Sequence, residues 1–366
     1  MIKIIHLTSV HSPLDTRIFM KECNTLKSNG YDVTIVAPYG RDDVIDGIKI
    51  RAVTYPKNRF MRIVYTTYKI YKIAILENAT LYHFHDPELM IIGLLLKCRG
   101  KKVIYDVHED LPRQMLSKAW IRPYLLRKLT AFIMMFLEKI VALIFDAIVT
   151  VTPYIFERFP PSKTIILRNY VFLRYIDKIE VKSIKKNKPV IIYHGTISRS
   201  RGIKEIIQSI GNLVGRAELW IFGDWKDKAL WHECTDLEGW KYTQYFGHKD
   251  VTEIYGYLKL ADIGLQVLHN TPNYKGGSAV KVFEYMACSI PFIATDNHNN
   301  RERYNSCALY VNPMDVNDIT EKMVKLLNDD KLRKEMGRRG RYLSETNYSW
   351  EKESEKLVEL YKRVLS

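Results

Sequence analysis

Apolar and polar residues follow two periods along this chain. Short runs rich in Val, Ile, Tyr and Phe read as strands, and the stretches between them repeat apolar positions every three or four residues, as helices do. The first strand series covers Ile2–Ser9, Asp32–Pro38, Ile48–Val53, Thr80–Asp86, Lys102–His108, Ala147–Thr152 and Thr164–Asn169. A helix over Asp15–Asn29, closed by Gly30, separates the first two. The series stops at Val171–Lys188 (VFLRYIDKIEVKSIKKNK), which is charged, lacks a clean period and reads as a linker. A second series follows over Val190–His194, Glu218–Phe222, Tyr242–Phe246, Ile263–Leu268, Phe292–Thr295 and Leu309–Val311. Helices over Lys331–Glu345 and Trp350–Leu365 close the chain.

Such alternation predicts an α/β fold of two Rossmann-like, doubly wound domains facing across a cleft. The expected organisation is residues 1–170, a linker at 171–188, residues 189–349, and a terminal helix at 350–366 crossing back to the first domain. A ligand in this architecture sits at the carboxyl ends of the strands.

The length of 366 residues agrees with two cores rather than one. A hydrophobic share of 47% excludes general disorder. The net charge of +15 is uneven: residues 1–180 hold 27 Lys and Arg against 17 Asp and Glu. The first half is therefore expected to face an anionic partner. Cys23, Cys98, Cys234, Cys288 and Cys307 have no C-x-x-C spacing, which suggests reduced thiols and a cytoplasmic setting. The opening MIKIIHLTSV reads as a strand, not a signal peptide, and the apolar Leu125–Val151 is broken by five charges, so no membrane span is expected.

Two basic regions stand apart. Lys49–Lys72 carries seven basic residues and no acid, interleaved with Tyr55, Phe60, Tyr65, Tyr68 and Tyr71. Leu111–Leu137 carries Arg113, Lys118, Arg122, Arg127 and Lys128 beside Trp120 and a Phe/Met/Leu-rich face. Cations beside aromatics and leucines suit an anionic membrane surface. They also fit solvated helix faces over a core, and no nucleic-acid motif accompanies them.

The candidate chemistry lies at strand ends. In YKGGSAVKVFEYMACSIPFIATD, Gly276 and Gly277 allow close backbone approach, Ser278 can cap a helix from Ala279, and Lys281 and Glu284 share one face. A cation near phosphates and a carboxylate for a ribose diol would hold a nucleotide diphosphate. The same residues also satisfy a capped helix with a solvated ion pair. In YHGTISRSRGIKEII, Arg199 and Arg201 flank a glycine turn and could neutralise a diphosphate. Gly195, Thr196 and, after the next strand, Gly223 complete this candidate donor site.

In VIYDVHED, His108 stands between acids at a strand end, with Glu109 beside it. In HSPLDTRIF, Asp15 reads as a helix cap, and Arg17 in the first helical turn calls for a nearby anion. In HFHDPELMIIG, His83 and His85 share a strand face, and Asp86 reads as the cap of a helix begun by Pro87 and Glu88. His11, Asp15, Arg17, His85, Asp86 and Glu109 form the candidate acceptor site. No G-x-G-x-x-G follows the first strand, and there is neither a P-loop nor a G-x-S-x-G elbow. This disfavours nicotinamide dehydrogenases, P-loop NTPases and α/β-hydrolases.

Read together, these segments resemble the family 4 glycosyltransferases of GT-B fold. HSPLDTRIFMKECNTLKSNGYDVTIVAP, HDPEL, VIYDVHE, YHGTISRSRGI, KVFEYMACSIPFIATD and YSWEKESEKLVELYKRVL follow the family's order over nearly the whole chain. The resemblance implies retaining transfer from a nucleotide-sugar donor without a metal or other cofactor. It implies Glu284 on the donor ribose, Arg201 and Lys281 on the diphosphate, and His108 near the transferred sugar. The first acid of the family's E-x7-E motif is replaced by Gly276, and the family's first arginine by Thr196. The expected acceptor is lipid-linked, in surface-polysaccharide assembly at the inner face of a bacterial membrane. A nucleotide-sugar epimerase or hydrolase of the same fold, or a non-catalytic binding module, remains an alternative at this point.

Overall fold

The computed structural model describes residues 1–108, 110–117, 121–181, 183–270, 280–304 and 306–366. The chain forms two compact units, Met1–Asn169 with Glu353–Ser366, and Tyr170–Lys352.

The first unit is built on eight strands: β1 (Lys3–Leu7), β2 (Asp32–Pro38), β3 (Asp43–Ile45), β4 (Ile48–Val53), β5 (Leu81–Phe84), β6 (Lys102–Val107), β7 (Ala147–Thr150) and β8 (Thr164–Ile166). Their order is β3-β4-β2-β1-β5-β6-β7-β8, parallel except for the β3–β4 pair. The winding reverses between β1 and β5, so the loops after these strands flank a topological switch point.

The two faces of this sheet differ. Side chains alternate across a strand. Ile5, Leu7, Tyr82, Phe84, Val103 and Tyr105 share one apolar core with Ile70, Ala74, Ile92, Leu96, Val141 and Ala142 from three helical segments, residues 59–77, Met90–Lys97 and Tyr124–Ile144. The alternate positions place His6, His83 and Asp106 on the other face, all fully buried. Residues 16–28 are helical, and the terminal helix Trp350–Leu365 brings Tyr361 to His6 and His83.

The second unit has six parallel strands: β9 (Val190–His194), β10 (Glu218–Phe222), β11 (Thr243–Tyr245), β12 (Ile263–Gln266), β13 (Phe292–Thr295) and β14 (Ala308–Val311). Their order is β11-β10-β9-β12-β13-β14, which puts the switch point between β9 and β12.

The 171–188 stretch differs from the linker expected of it. It contains a helix, Leu173–Lys178, and Val171, Leu173 and Ile176 join the core of the second unit. Asp177 pairs with Arg341 at 2.7 Å, so the charges of this segment face outward from an apolar anchor. The helix Trp350–Leu365 starts in the second unit, where the Trp350 amide donates to the Val171 carbonyl, and from Glu353 onward belongs to the first.

Candidate active site

In the first unit the carboxyl ends of β1, β5 and β6 carry a continuous polar network. Tyr361 Oη lies 2.8 Å from His83 Nδ1 and 3.2 Å from His6 Nε2. His6 Nδ1 lies 2.9 Å from His85 Nε2, and His85 Nδ1 lies 3.0 Å from His108 Nε2. A neutral imidazole has one donor and one acceptor nitrogen. The tautomers of His6, His85 and His108 are therefore linked, and the orientation of one sets the others. Burial holds the His6, His83 and His108 imidazoles well below their usual range, so they are neutral near pH 7.

The charges beneath this chain are compensated in place. The Arg17 guanidinium donates to both Asp106 oxygens, with its Nη2 3.0 Å from Oδ2, and to the Leu167 carbonyl at 3.1 Å. It also lies 3.0 Å from Glu22 Oε1. Burial alone would raise Asp106, but Arg17 and the histidines outweigh it and hold its carboxyl well below the usual range. Burial pushes Glu22 well above that range against the pull of Arg17, so Glu22 is held protonated. One cation thus faces one anion.

Three expectations change here. Arg17 is buried and fully engaged; the anion it needed is internal, so it is not an acceptor ligand. The Asp86 side chain makes no cap bond to its helix. Its Oδ2 instead accepts from Thr8 Oγ1 at 2.7 Å and from the Ser9 amide at 2.6 Å, which fixes the loop after β1. His85 is buried, with its two ring nitrogens engaged by His6 and His108. Asp15 does cap its helix, accepting from the Arg17 and Ile18 amides. His11 and His108 are the partly accessible members, with side-chain exposures of 35% and 16% and ring centroids 5.6 Å apart. Glu109 lies outside the described residues.

Two groups in this unit have donor atoms within 4.8 Å of one another, as a metal would require: His6, Glu22, His83 and His85, and His85, Asp106 and His108. Their histidines already bond to one another or to Tyr361, and their acids lie against Arg17.

In the second unit the chain turns sharply after β9. Gly195 has φ +108° and Gly223, after β10, has φ +135°. A Cβ on Gly223 would stand 2.0 Å from the Gly195 carbonyl oxygen, so only glycine fits there. A Cβ on Gly195 would lie 3.7 Å from both Arg201 Nη1 and Lys281 Nζ, so two cations converge on this turn. The Lys281 ammonium is buried, lies 3.8 Å from the Tyr193 ring centroid, and has no hydrogen-bond acceptor among the described residues. Burial, then the Arg201 charge, push it well below the usual lysine range, while Glu284 pulls the other way.

Glu284 lies one turn beyond Lys281 on the helix Val280–Ala287. It accepts from Tyr255 Oη at 3.2 Å and lies 3.4 Å from His194 Nε2. The Thr196 carbonyl accepts from Tyr193 Oη at 2.7 Å, which braces the turn. Arg199 is not drawn into this cluster. It is exposed and pairs with Glu233 at 2.9 Å and Asp227 at 3.5 Å, because those acids lie closer to its side of the turn. Gly276, Gly277 and Ser278 lie outside the described residues.

Sequence reasoning missed His6, Glu22, Asp106 and Tyr361 in the first unit and His194 and Tyr255 in the second, and it paired His83 with His85 on one strand face without including His83 in the site. One signal was available. KIIHL, LYHF and VIYDV each place a polar residue inside an otherwise apolar central strand. His6 and His83 are register partners.

Two parallel-sheet units, the second with a glycine turn and convergent cations after its first strand, have the architecture of the GT-B fold. Solved structures of that architecture match the whole chain. A sucrose-phosphate synthase of Thermosynechococcus elongatus superposes with a TM-score of 0.78 at 14% identity, covering 100% of this chain and 99% of that one. A glycosyltransferase of Rickettsia africae gives 0.72 at 15%, with the same coverages. Anabaena HepE, solved with UDP and glucose, gives 0.74 at 12%, covering 99% of this chain and 100% of that one.

The chain belongs to the family 4 glycosyltransferases. The family model "Glycosyltransferase Family 4" matches residues 17–160, and "Glycosyl transferases group 1" matches residues 176–342. An O-antigen chain mannosyltransferase B of Escherichia coli is 23% identical over 180 residues, 47% of this chain and 45% of that protein. The match thus spans less than half of that relative.

Proposed function

We propose that this enzyme transfers a sugar, with retention of anomeric configuration and without a metal, from a nucleotide-diphosphate sugar to a lipid-linked intermediate of a bacterial surface glycan. The observation that carries the donor reading is the buried Lys281 amino group, without a hydrogen-bond acceptor among the described residues, facing Arg201 across Gly195. Burial and the Arg201 charge disfavour a proton on Lys281, and a diphosphate between the two groups would reverse that by favouring both charges. HepE, a structure of the same fold, was solved with UDP and glucose, which supports a nucleotide-sugar donor. The O-antigen mannosyltransferase supports a surface-glycan product.

In this reading Glu284 accepts from the donor ribose. The anomeric C–O bond breaks, and its electron pair goes to the β-phosphate oxygen, where Arg201 and Lys281 stabilise the charge. The acceptor hydroxyl attacks the same face of the sugar, and its proton passes to the departing phosphate. His108, kept neutral by burial and linked to His85, holds the acceptor by hydrogen bonding. The lipid acceptor makes the enzyme peripheral at the inner face of the cytoplasmic membrane.

The test is product analysis with a panel of nucleotide sugars, with and without a polyprenyl-phosphate-linked glycan. The expected product forms only with acceptor and keeps the donor's anomeric configuration by proton NMR. Conversion of the nucleotide sugar at full rate without acceptor would instead make the chain an epimerase or hydrolase.

A further inference from the structure

The helix Tyr124–Ile144 exposes a continuous apolar stripe. Leu125, Leu129, Phe132, Phe136, Ile140 and Leu143 recur every three or four positions and all face solvent, Leu125 at 74%, Phe132 at 60% and Leu143 at 68% exposure. Soluble proteins rarely leave such a stripe uncovered. The opposite side of the helix is the buried one: Val141 and Ala142 join the sheet core, and Ala131 packs with Met115 and Ile121.

The charges on this helix sort by face. Its one acid, Glu138, is 1% exposed and turned inward onto Arg158. Burial pushes that carboxyl up to about 7. Its exposed lysines, Lys128 and Lys139, stand eleven residues apart, about three turns, and so share one edge of the stripe.

The neighbouring helices repeat the pattern. The segments at 59–77 and Met90–Lys97 pack on the same sheet face. They leave Phe60, Tyr65, Tyr68 and Ile91 exposed, with Lys69 and Lys72 over the Tyr65 and Tyr68 rings at 4.6 and 4.8 Å. The acids beside them are engaged: Glu77, at the end of 59–77, with Lys3 and Arg51, and Glu88, in the turn Pro87–Leu89 before Met90–Lys97, with Arg62 at 2.8 Å. The whole layer therefore presents apolar groups and cations while its carboxylates are paired.

We infer that this helical layer is the membrane-docking face of the enzyme, with Tyr124–Ile144 lying in the plane of an anionic bilayer, its stripe among the acyl chains and Lys128 and Lys139 at the phosphate level. The inference deepens the lipid-linked acceptor reading and rests on it for the presence of a membrane. Charge selects the occupant. Anionic headgroups complement the lysine edge, whereas a second copy of the same face would set like charges against each other. The helix does not span the bilayer; no described helix is long and apolar enough to do so.

The test is co-sedimentation of the full chain with phosphatidylcholine vesicles, with and without phosphatidylglycerol. Neither vesicle contains a glycan acceptor, so the result is independent of the transfer reaction. The wild type is expected on the anionic vesicles only. Phe132→Ser/Phe136→Ser should lower the partition coefficient about a hundredfold. Lys128→Gln/Lys139→Gln should lower it about 30-fold. Both pairs are exposed, so an unchanged melting temperature confirms that folding is intact. Unchanged vesicle binding by both variants overturns this face while leaving a membrane enzyme. A wild type that ignores vesicles but is a dimer, and becomes a monomer in Phe132→Ser/Phe136→Ser, replaces the membrane with a second copy. Sugar transfer to a soluble acceptor analogue continues in either case, unless the functional reading itself is wrong.

Discussion

The two sheets bury charge in opposite ways. Beneath β1, β5 and β6, Arg17 faces Asp106, burial favours the protonated form of Glu22, and burial keeps His6, His83 and His108 neutral, so the cluster is balanced without a ligand. At the turn after β9, Lys281 and Arg201 converge and the lysine finds no acceptor among the described residues. A balanced cluster orients the groups above it, whereas an unbalanced one asks for an anion. On the proposed reading the first would position His108, and the second would hold the donor phosphates.

This contrast predicts opposite outcomes for removing a cation. Arg17→Met strands the Asp106 carboxylate in the core and should cost about 3–5 kcal/mol of stability, read as a lower urea midpoint. Lys281→Met removes an amino group that has no hydrogen-bond acceptor among the described residues and whose charge burial and Arg201 disfavour, so the melting temperature should hold or rise while transfer falls by about 10²–10³-fold. A large stability loss in Lys281→Met would erase the distinction. Tyr361→Phe deletes the hydroxyl between His83 and His6 and should cost about 1–3 kcal/mol. If the linked tautomers matter, nitrogen NMR of His108 will also change in that variant; an unchanged His108 spectrum would make Tyr361 a purely structural member.

Much of this was legible from residue pattern. The parallel strands announce themselves as near-continuous apolar runs because both their faces are buried. The edge strand Asp43–Ile45 is too short to show a period. The helix Leu173–Lys178 hides because a few apolar residues anchor it among many charges. Lys281, Glu284, Arg201 and Gly195 lie near one another, and their grouping was legible because their spacing is local. Arg17 and Asp86 were misassigned because their partners, Asp106 and the Thr8–Ser9 turn, lie 89 and 78 residues away. Only the register of β1, β5 and β6 brings such partners together, and Tyr361 arrives from the other end of the chain.

The central claim is that Lys281 and Arg201 await a diphosphate. Its most direct test is calorimetric titration of UDP, GDP and ADP in buffers of different ionisation enthalpy. In the free protein Lys281 sits well below its ordinary range, and a bound diphosphate should raise it again. Binding should then take up a proton. Its affinity should be fullest below the free-state value and be lost as pH rises through the bound-state value. At least one nucleoside diphosphate should bind with proton uptake, and Lys281→Met should lose both the uptake and most of the affinity. Equal binding by wild type and Lys281→Met, or no binding of any nucleoside diphosphate, would contradict the claim.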